Sequence, residues 1–349
     1  MLFYVEYITL ALYKNKKIDI VLPWRIGDAI LNIPVLLCLK QLNQKYYDNN
    51  KIRIIAKPFL QKLYAPLGIF ECKGLTLQRR LISNLMPADV AFFTETINTN
   101  WGYNAKSNYG LTNTNKKIIK FDNELPFMNI NKFREFIPKE LISFLQEKYS
   151  LGLYSISLFG ILLELGYTSE QIINTFDLKP EYLALNNFTG YKHPVINDRY
   201  VIFCMEAAYG KKGDANRRWD EKFYIDIANR CFIEFNLKSV FVGINQEFKL
   251  PQKSNFIDLR KQLDLFQLAQ VIKSSVCYIG NDTAPLHIAN ILQRQSIGTY
   301  FMKHSLTDFS PIFPELNTQV FCPQNIEEVY EKVKQKLIIS EKQVEDGYS

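Results

Sequence analysis

The segment 280–287, which reads Gly-Asn-Asp-Thr-Ala-Pro-Leu-His, constrains the fold more than any other part of the chain. The apolar run 276–279 before it predicts a buried strand, and the run 288–292 after it predicts the start of a helix. A strand that turns directly into a helix places backbone N–H groups and the positive end of the helix dipole at the carboxyl edge of a sheet. Open α/β sheets bind their ligands at that edge. The segment therefore predicts a site for a phosphorylated ligand.

Strand and helix patterns alternate along the rest of the chain. Apolar, β-branched runs predict strands at 18–22, 51–56, 89–93, 200–205 and 239–243. Helical spacing predicts helices after residue 28, over 151–165, after Asp220 and Asp264, which are placed to cap them, and over 326–339. This alternation predicts doubly wound, mostly parallel α/β sheets.

The domain organisation follows from the length of 349 residues, which suits two α/β domains better than one. We predict an N-terminal domain at 1–190 and a C-terminal domain at 198–335, joined by a linker within 186–197. Residues 100–135 predict loops, and 340–349 predict a disordered polar tail. The apolar segment 1–13 is followed, not preceded, by lysines, so we expect it to pack on the body rather than act as a secretory signal.

The composition narrows the range of partners and compartments. A formal net charge of +7 suits an anionic partner such as a nucleotide or an acidic membrane surface. Six scattered cysteines and three histidines match neither a zinc site nor a disulfide framework, so we expect no metal and a reducing, cytoplasmic location. Zinc-finger spacing and an arginine-rich tail are both absent from the sequence, so a nucleic-acid partner is not expected.

Three motifs together resemble glycosyltransferase family 9, the bacterial heptosyltransferases. Residues 282–287 resemble the family's C-terminal Asp-Thr-(Gly/Ala)-Pro-x-His signature, and residues 25–30, followed by Pro34, resemble its N-terminal Arg-x-Gly-Asp signature. Arg217-Arg218-Trp219, followed by Phe223, is similar to the basic-x-Trp…Phe element that opens the family's second domain. The motifs occur in the family's order, and the similarity spans about residues 18–335.

The resemblance implies the GT-B architecture, in which two Rossmann-like, doubly wound domains face each other across a cleft. The N-terminal domain would bind the acceptor and the C-terminal domain the nucleotide sugar. The implied reaction is an inverting, metal-independent transfer of a sugar, by resemblance heptose from ADP-heptose, to a lipopolysaccharide core or a related glycolipid. No cofactor is implied. A second interpretation of the location is that the protein contacts the inner face of the inner membrane peripherally.

Two other functions stay open. One is a non-catalytic protein of the same fold that binds a nucleotide sugar or a glycolipid, and the other is a GT-B sugar-nucleotide epimerase. Ala284 stands where the family usually has glycine, which is tolerable only if the local φ is negative. The Lys- and Gly-rich loop 207–216 also departs from the family pattern.

In the N-terminal motif, Asp28 is the expected catalytic base, because a sugar acceptor must lose its hydroxyl proton as it attacks the anomeric carbon. The alternative role for an Asp at this junction is a helix N-cap. Arg25 would bind an acceptor phosphate or pair with Asp28, and Gly27 completes the acceptor-binding set.

In the C-terminal motif, the Thr283 hydroxyl and the backbone N–H groups of Ala284 and Leu286 are expected to meet the donor diphosphate. Asp282 would orient the loop or hold a sugar hydroxyl. His287 would donate to the diphosphate, and its alternative is a satisfied, half-buried histidine.

Arg217 and Arg218 are the cations expected to neutralise the leaving diphosphate in place of a metal ion. Lys211 and Lys212 in the same loop are the alternative cations. The alternative is a solvated basic loop. Glu206, just past a strand, would reach the ribose or the base.

Trp219 is expected to pack in the core rather than stack on a ligand. Six basic residues between 40 and 62 would face anionic lipid or, alternatively, form a solvated surface.

Overall fold

The computed structural model describes residues 14–46, 48–75, 88–94, 118–120, 129, 132–189, 196, 198–207 and 217–345, with side chains described up to residue 339 in the last helix. The chain divides into two compact units, Met1–Asn187 (unit 1) and Phe188–Ser349 (unit 2). The predicted segment 1–13, most of the linker and most of the loop 207–216 lie outside the described residues.

Unit 1 is built on a parallel sheet whose five strands have the order β3-β2-β1-β4-β5. The strands are β1 (Lys17–Val21), β2 (Lys51–Ala56), β3 (Glu71–Gly74), β4 (Val90–Phe93) and β5 (Ile118–Lys120). The predicted strands β1, β2 and β4 are confirmed to within a residue at each end. β5 lies in the stretch 100–135 that was predicted to be loops, so that prediction is wrong at this position.

Seven α-helices accompany this sheet in the described part of unit 1. They are α1 (Ile26–Ile30), α2 (Ile33–Lys45), α3 (Pro58–Leu67), α4 (Lys139–Tyr149), α5 (Leu153–Leu158), α6 (Gly160–Glu164) and α7 (Ser169–Ile173). The single helix predicted over 151–165 is divided into α5 and α6. The division is a tight turn, because Phe159 N–H donates to Ile156 O, three residues back, at 3.0 Å.

Unit 2 contains a six-stranded parallel sheet of order β11-β10-β9-β6-β7-β8. Its strands are β6 (Tyr200–Cys204), β7 (Lys238–Phe241), β8 (Phe256–Asp258), β9 (Tyr278–Asn281), β10 (Ser296–Tyr300) and β11 (Asn317–Phe321). Its helices are α8 (Glu221–Phe235), α9 (Leu265–Lys273), α10 (Ala284–Ile291), α11 (Lys303–Thr307) and α12 (Ile326–Glu345).

Two predicted helix caps in unit 2 are confirmed. The Asp220 carboxylate accepts from Lys222 N–H at 2.9 Å at the start of α8. Asp264 accepts from the backbone of Gln267 at 2.9 Å, and the Gln267 side chain accepts from Asp264 N–H in return, which forms a capping box at α9. Each cap satisfies N–H groups that a helix leaves without internal partners.

Three predicted boundaries in unit 2 are corrected. β9 begins at Tyr278 and includes Gly280, which was assigned to the turn, and α10 begins at Ala284 instead of residue 288. Gly280 belongs to the strand because it pairs with Cys204 and Gly298, and the strand needs glycine there because a Cβ would lie 2.5 Å from Cys204 O. α12 continues to Glu345, so the tail predicted to be disordered from residue 340 is helical over its first residues.

Within the described part of the chain, every helix is too short or too polar to cross a bilayer.

Candidate functional site

The carboxyl ends of β6, β9 and β10 meet at one edge of the unit 2 sheet. Cys204 pairs with Gly280, and Asn281 pairs with Thr299, at the ends of these parallel strands. The pairing continues past β9, since Asp282 N–H donates to Thr299 O at 3.0 Å. The residues that follow β6 and β9 are therefore held together at this edge, as the sequence predicts.

The N-terminus of α10 forms the centre of the edge. Thr283 is the N-cap residue, with extended φ of −148°, and its hydroxyl lies 3.3 Å from Asn281 O instead of capping the helix. Leu286 N–H donates to Thr283 O at 3.0 Å, so the prediction that it would meet a diphosphate is wrong. Ala284 is the first helical residue and does not have a positive φ, so the absence of glycine causes no backbone strain.

Asp282 connects the two basic candidates of this edge. Its Oδ2 lies 3.4 Å from an Arg217 guanidinium nitrogen, and its Oδ1 lies 3.9 Å from His287 Nε2. The Asp282 side chain is 11% exposed, whereas that of Arg217 is 31% exposed. Asp282 thus holds a cation at the helix N-terminus with part of the guanidinium still open to solvent.

His287 is buried without being satisfied. Its side chain is 6% exposed, and burial lowers its pKa, while the nearby Asp282 carboxylate acts in the opposite direction with a smaller effect. The imidazole is therefore neutral at pH 7. His287 Nδ1 has no hydrogen-bond partner among the described residues, which contradicts the interpretation of a satisfied, half-buried histidine.

Asn281 is a structural residue of the site that the sequence reasoning missed. Its Oδ1 accepts from Trp219 N–H at 3.1 Å, Tyr224 OH at 2.9 Å and Thr299 OH at 2.8 Å. Its Nδ2 donates to Met205 O at 2.7 Å. One buried amide thus ties the segment after β6, the Arg217–Trp219 segment and β10 together.

Trp219 itself is buried. Its ring lies 4.8 Å from that of Phe223 and 5.3 Å from that of Tyr224, centroid to centroid. The predicted packing role is confirmed.

A pocket with an empty volume of about 360 Å³, part of it open solvent, lies beside this cluster. Its walls include Met205, Glu206, Arg218, Val242, Glu247 and Phe248. Arg217 and Arg218 therefore have different surroundings, since Arg217 contacts Asp282 and Arg218 lines the pocket. Glu247 and Phe248 were not predicted, because no motif marks the turn after β7.

Glu206 lines the pocket and is also hydrogen-bonded to the loop after β7. Its Oε1 accepts from Asn245 N–H at 2.6 Å. Burial raises the pKa of Glu206, and this effect is partly opposed by N–H donors of Asn245 and Ile244 and by the charges of Arg260 and Arg218.

In unit 1, Asp28 is the third residue of α1, and the N-cap position belongs to Arg25. The alternative role of Asp28 as an N-cap is therefore wrong. Its side chain is partly exposed, that of Arg25 is exposed, and Gly27 lies between them in the first helical turn. α1 is fixed beneath them, since Asn32 Nδ2 donates to Asp28 O at 3.0 Å and Tyr64 OH donates to Ala29 O.

At least four of the six basic residues in the 40–62 segment have partners within unit 1. Lys40 and Lys45 donate to the backbone carbonyls of Gly68 and Asn174, at 3.1 and 2.9 Å. Arg53 pairs with Asp19, and Lys57 Nζ lies 3.1 Å from the centroid of the Trp24 ring. Most of these charges stabilise unit 1 locally.

Across the residues whose side chains are described, no three His, Cys, Asp or Glu residues are grouped in a way that could hold a metal ion. Lys211 and Lys212 lie outside the described residues.

The model of glycosyltransferase family 9 (heptosyltransferase) matches residues 157–337. E. coli ADP-heptose LPS heptosyltransferase II has a similar structure, with a TM-score of 0.59 and 16% identity over 93% of this chain and 99% of that chain. A family 9 glycosyl transferase from Veillonella parvula DSM 2008 has a TM-score of 0.57 and 15% identity, covering 95% and 96% of the two chains.

E. coli heptosyltransferase WaaC with ADP has a TM-score of 0.55 and 12% identity, covering 95% of this chain and 99% of that chain. No curated protein matches at a significant level. At these identities the solved structures show the fold, and they confirm the predicted GT-B class.

Proposed function

Because the chain belongs to glycosyltransferase family 9 and is a glycosyltransferase, we propose that it transfers a sugar from a nucleoside diphosphate donor to a lipopolysaccharide core or related glycolipid, with inversion at the anomeric carbon. The first donor to consider is ADP-heptose, because the similar E. coli heptosyltransferase WaaC has been solved with ADP and with an ADP-heptose analogue.

The observation that carries the proposal is the cluster at the carboxyl edge of unit 2. Arg217 is held by Asp282 immediately before α10, and Ala284 is the first helical residue, whose N–H has no partner within the helix. A partly exposed guanidinium beside a helix N-terminus is suited to a diphosphate, because both offer donors and positive potential.

Each donor-binding residue then has a distinct part. Arg217 and the Ala284 N–H stabilise the negative charge that develops on the leaving diphosphate, so that this step does not depend on a metal ion. Thr283 offers its hydroxyl, and the neutral His287 offers one N–H. Arg218 and the pocket that it shares with Glu206 and Glu247 receive the nucleoside end.

Asp28 is the proposed base. The acceptor hydroxyl oxygen forms a bond with the anomeric carbon, its proton passes to the Asp28 carboxylate, and the bond from the anomeric carbon to the diphosphate oxygen breaks. The electron pair of that bond leaves with the nucleoside diphosphate. A single displacement of this kind inverts the configuration. Arg25 and Gly27, in the same helical segment, are proposed to contact the acceptor.

A transfer assay tests the proposal. The pure protein is incubated with ADP-heptose, UDP-sugars or GDP-sugars and a lipopolysaccharide-core acceptor, and the product is identified by mass spectrometry and NMR. We expect one donor class to give a glycosylated acceptor of inverted configuration. A retained configuration would overturn the single displacement, and product formed from the donor alone would indicate an epimerase instead.

A further inference from the structure

The loop 243–248 forms one wall of the unit 2 pocket, and it begins with an unusual backbone conformation. Gly243 has a φ of 138°, which residues with a Cβ rarely adopt. The loop supplies Asn245, Glu247 and Phe248 to the pocket. It follows β7 and adds no strand of its own, so its shape depends on bonds to neighbouring residues.

The start of the loop is held by a carboxylate from the adjacent strand end. Glu206 Oε1 accepts from Asn245 N–H at 2.6 Å, and Glu206 is also bonded to the Ile244 backbone. A Cβ at Gly243 would overlap Glu206 Oε1 and lie 2.5 Å from Glu206 Cδ. The carboxylate therefore occupies the space that the glycine leaves open, directly against the turn.

The end of the loop is held by Arg260. Its guanidinium forms a two-point pair with Asp258, at 2.8 and 2.7 Å, and donates to Phe248 O at 2.8 Å. Gln246 Nε2 donates to Arg260 O at 2.9 Å. Within the loop, Asn245 Oδ1 accepts from Glu247 N–H at 2.7 Å. Both ends are thus fixed, and the pocket wall is ordered before any ligand binds.

We propose that Glu206 is a positioning residue for donor binding, whose carboxylate holds the 243–248 loop in the shape that receives the nucleoside end of the donor. The inference rests on the proposed function, because it assumes that the pocket receives a nucleoside. Glu206 acts through the loop, since Oε1 is already bonded to the backbone of Asn245.

The charges around Glu206 make this role dependent on pH. The charges of Arg218 and Arg260 act on it, Cys204 at the end of β6 is nearby, and Glu221 and Glu247 share the pocket. Burial raises the Glu206 pKa, so protonation begins at a higher pH than for an exposed glutamate. Protonation weakens the bonds to the loop N–H groups, because a charged acceptor binds an N–H more strongly than a neutral one.

The test compares Glu206→Ala and Glu206→Gln with the wild type, with the exposed Glu315→Gln as the matched control. The probes are ADP, UDP, GDP and inorganic pyrophosphate, titrated by calorimetry across the acid range. For Glu206→Ala we expect roughly tenfold weaker binding of the preferred nucleoside diphosphate, with pyrophosphate binding unchanged. Glu206→Gln keeps an acceptor oxygen but carries no charge, as a protonated glutamate does, so its affinity at neutral pH should lie between those of Glu206→Ala and the wild type and should not decline toward acid pH.

Hydrogen exchange separates this inference from the proposed function. The amides of residues 244 and 245 should exchange faster in Glu206→Ala than in the wild type without any ligand. Unchanged exchange, or equal losses of nucleotide and pyrophosphate binding, would overturn the positioning role while the proposed function stands. A wild type that binds no nucleoside diphosphate overturns both.

Discussion

Asp28 illustrates how a single residue is interpreted differently once its backbone position is known. Its carboxylate lies in the first turn of α1 rather than at the N-cap, so helix capping no longer explains it. The turn that carries it is fixed by Asn32 and Tyr64. A partly exposed carboxylate on a fixed helical turn is suited to accept a proton.

We therefore predict that Asp28→Asn lowers the rate of sugar transfer by roughly 100-fold or more, because proton transfer contributes on that order. Donor affinity, measured by calorimetry on the same preparation, should not change. Full transfer with unchanged donor affinity would exclude Asp28 as the base.

A second prediction at the residue scale concerns Asp19 in the centre of β1. Its side chain is 1% exposed, and Arg53 on β2 binds both of its oxygens, at 2.8 and 2.9 Å. Arg53→Met leaves a buried carboxylate with its main cation removed, and we expect it to lower the free energy of unfolding by about 3–5 kcal/mol. Urea denaturation measures the loss.

The double variant Asp19→Leu/Arg53→Met is the control for that experiment. It removes both charges together, so it should recover most of the stability. A single Arg53→Met variant as stable as the wild type would show that the pair contributes little.

Several site contacts could not be predicted from the sequence. Asp282 and His287 were placed together because one helical motif carries both. The different directions of Arg217 and Arg218, and the three bonds accepted by Asn281, depend on segments far apart in the chain. Motif spacing holds no information about such contacts.

At the scale of elements, the strands with continuous apolar runs were predicted, and those without such a run were not. β1, β2, β6 and β7 bury β-branched or aromatic residues along most of their length. β3 alternates Glu and Lys with buried residues over four positions, so it has no continuous apolar run. The parallel fold class follows from the apolar strands alone.

The turn after β8 carries a testable strain. Lys261 has a φ of 61°, and its N–H donates to Gly243 O at 2.8 Å, so the conformation is fixed by the fold. Glycine adopts this region without the steric cost that a Cβ imposes. We predict that Lys261→Gly raises the free energy of unfolding by up to about 1 kcal/mol.

The exposed Lys249, which does not have a positive φ, supplies the matched control. Lys249→Gly should give no gain, because there the added backbone freedom only favours the unfolded chain. If chemical denaturation shows that both substitutions change the free energy of unfolding equally, the backbone at Lys261 is not strained.

For the whole molecule, buried thiols and phenols determine the response to alkaline pH. Burial raises the pKa of Cys204 to about 11, and of Cys277 and Tyr200 to about 12. Groups with a raised folded pKa stabilise the fold below their unfolded pKa, and this contribution is lost as the pH rises toward the folded value. Burial lowers the pKa of Lys273 to about 8, which acts in the opposite direction.

The thiols and phenols outnumber this lysine, so we predict that the melting temperature falls steadily as the pH is raised from 8.5 to 11. A thermal melt at each pH, with the reversibility of unfolding checked, measures the change. A melting temperature that rises over this range would show that Lys273 dominates.

We infer that unit 2 binds the donor through Arg217 at the N-terminus of α10, and calorimetry with nucleotide sugars measures this binding. ADP-heptose, UDP-sugars and GDP-sugars are titrated into the wild type, Arg217→Ala and, as a control, Arg230→Ala, which removes a similarly exposed arginine that pairs with Glu327 on α12. We predict that one donor class binds the wild type and Arg230→Ala alike and binds Arg217→Ala at least tenfold more weakly. Equal binding to all three proteins, or no binding to the wild type, would contradict the account.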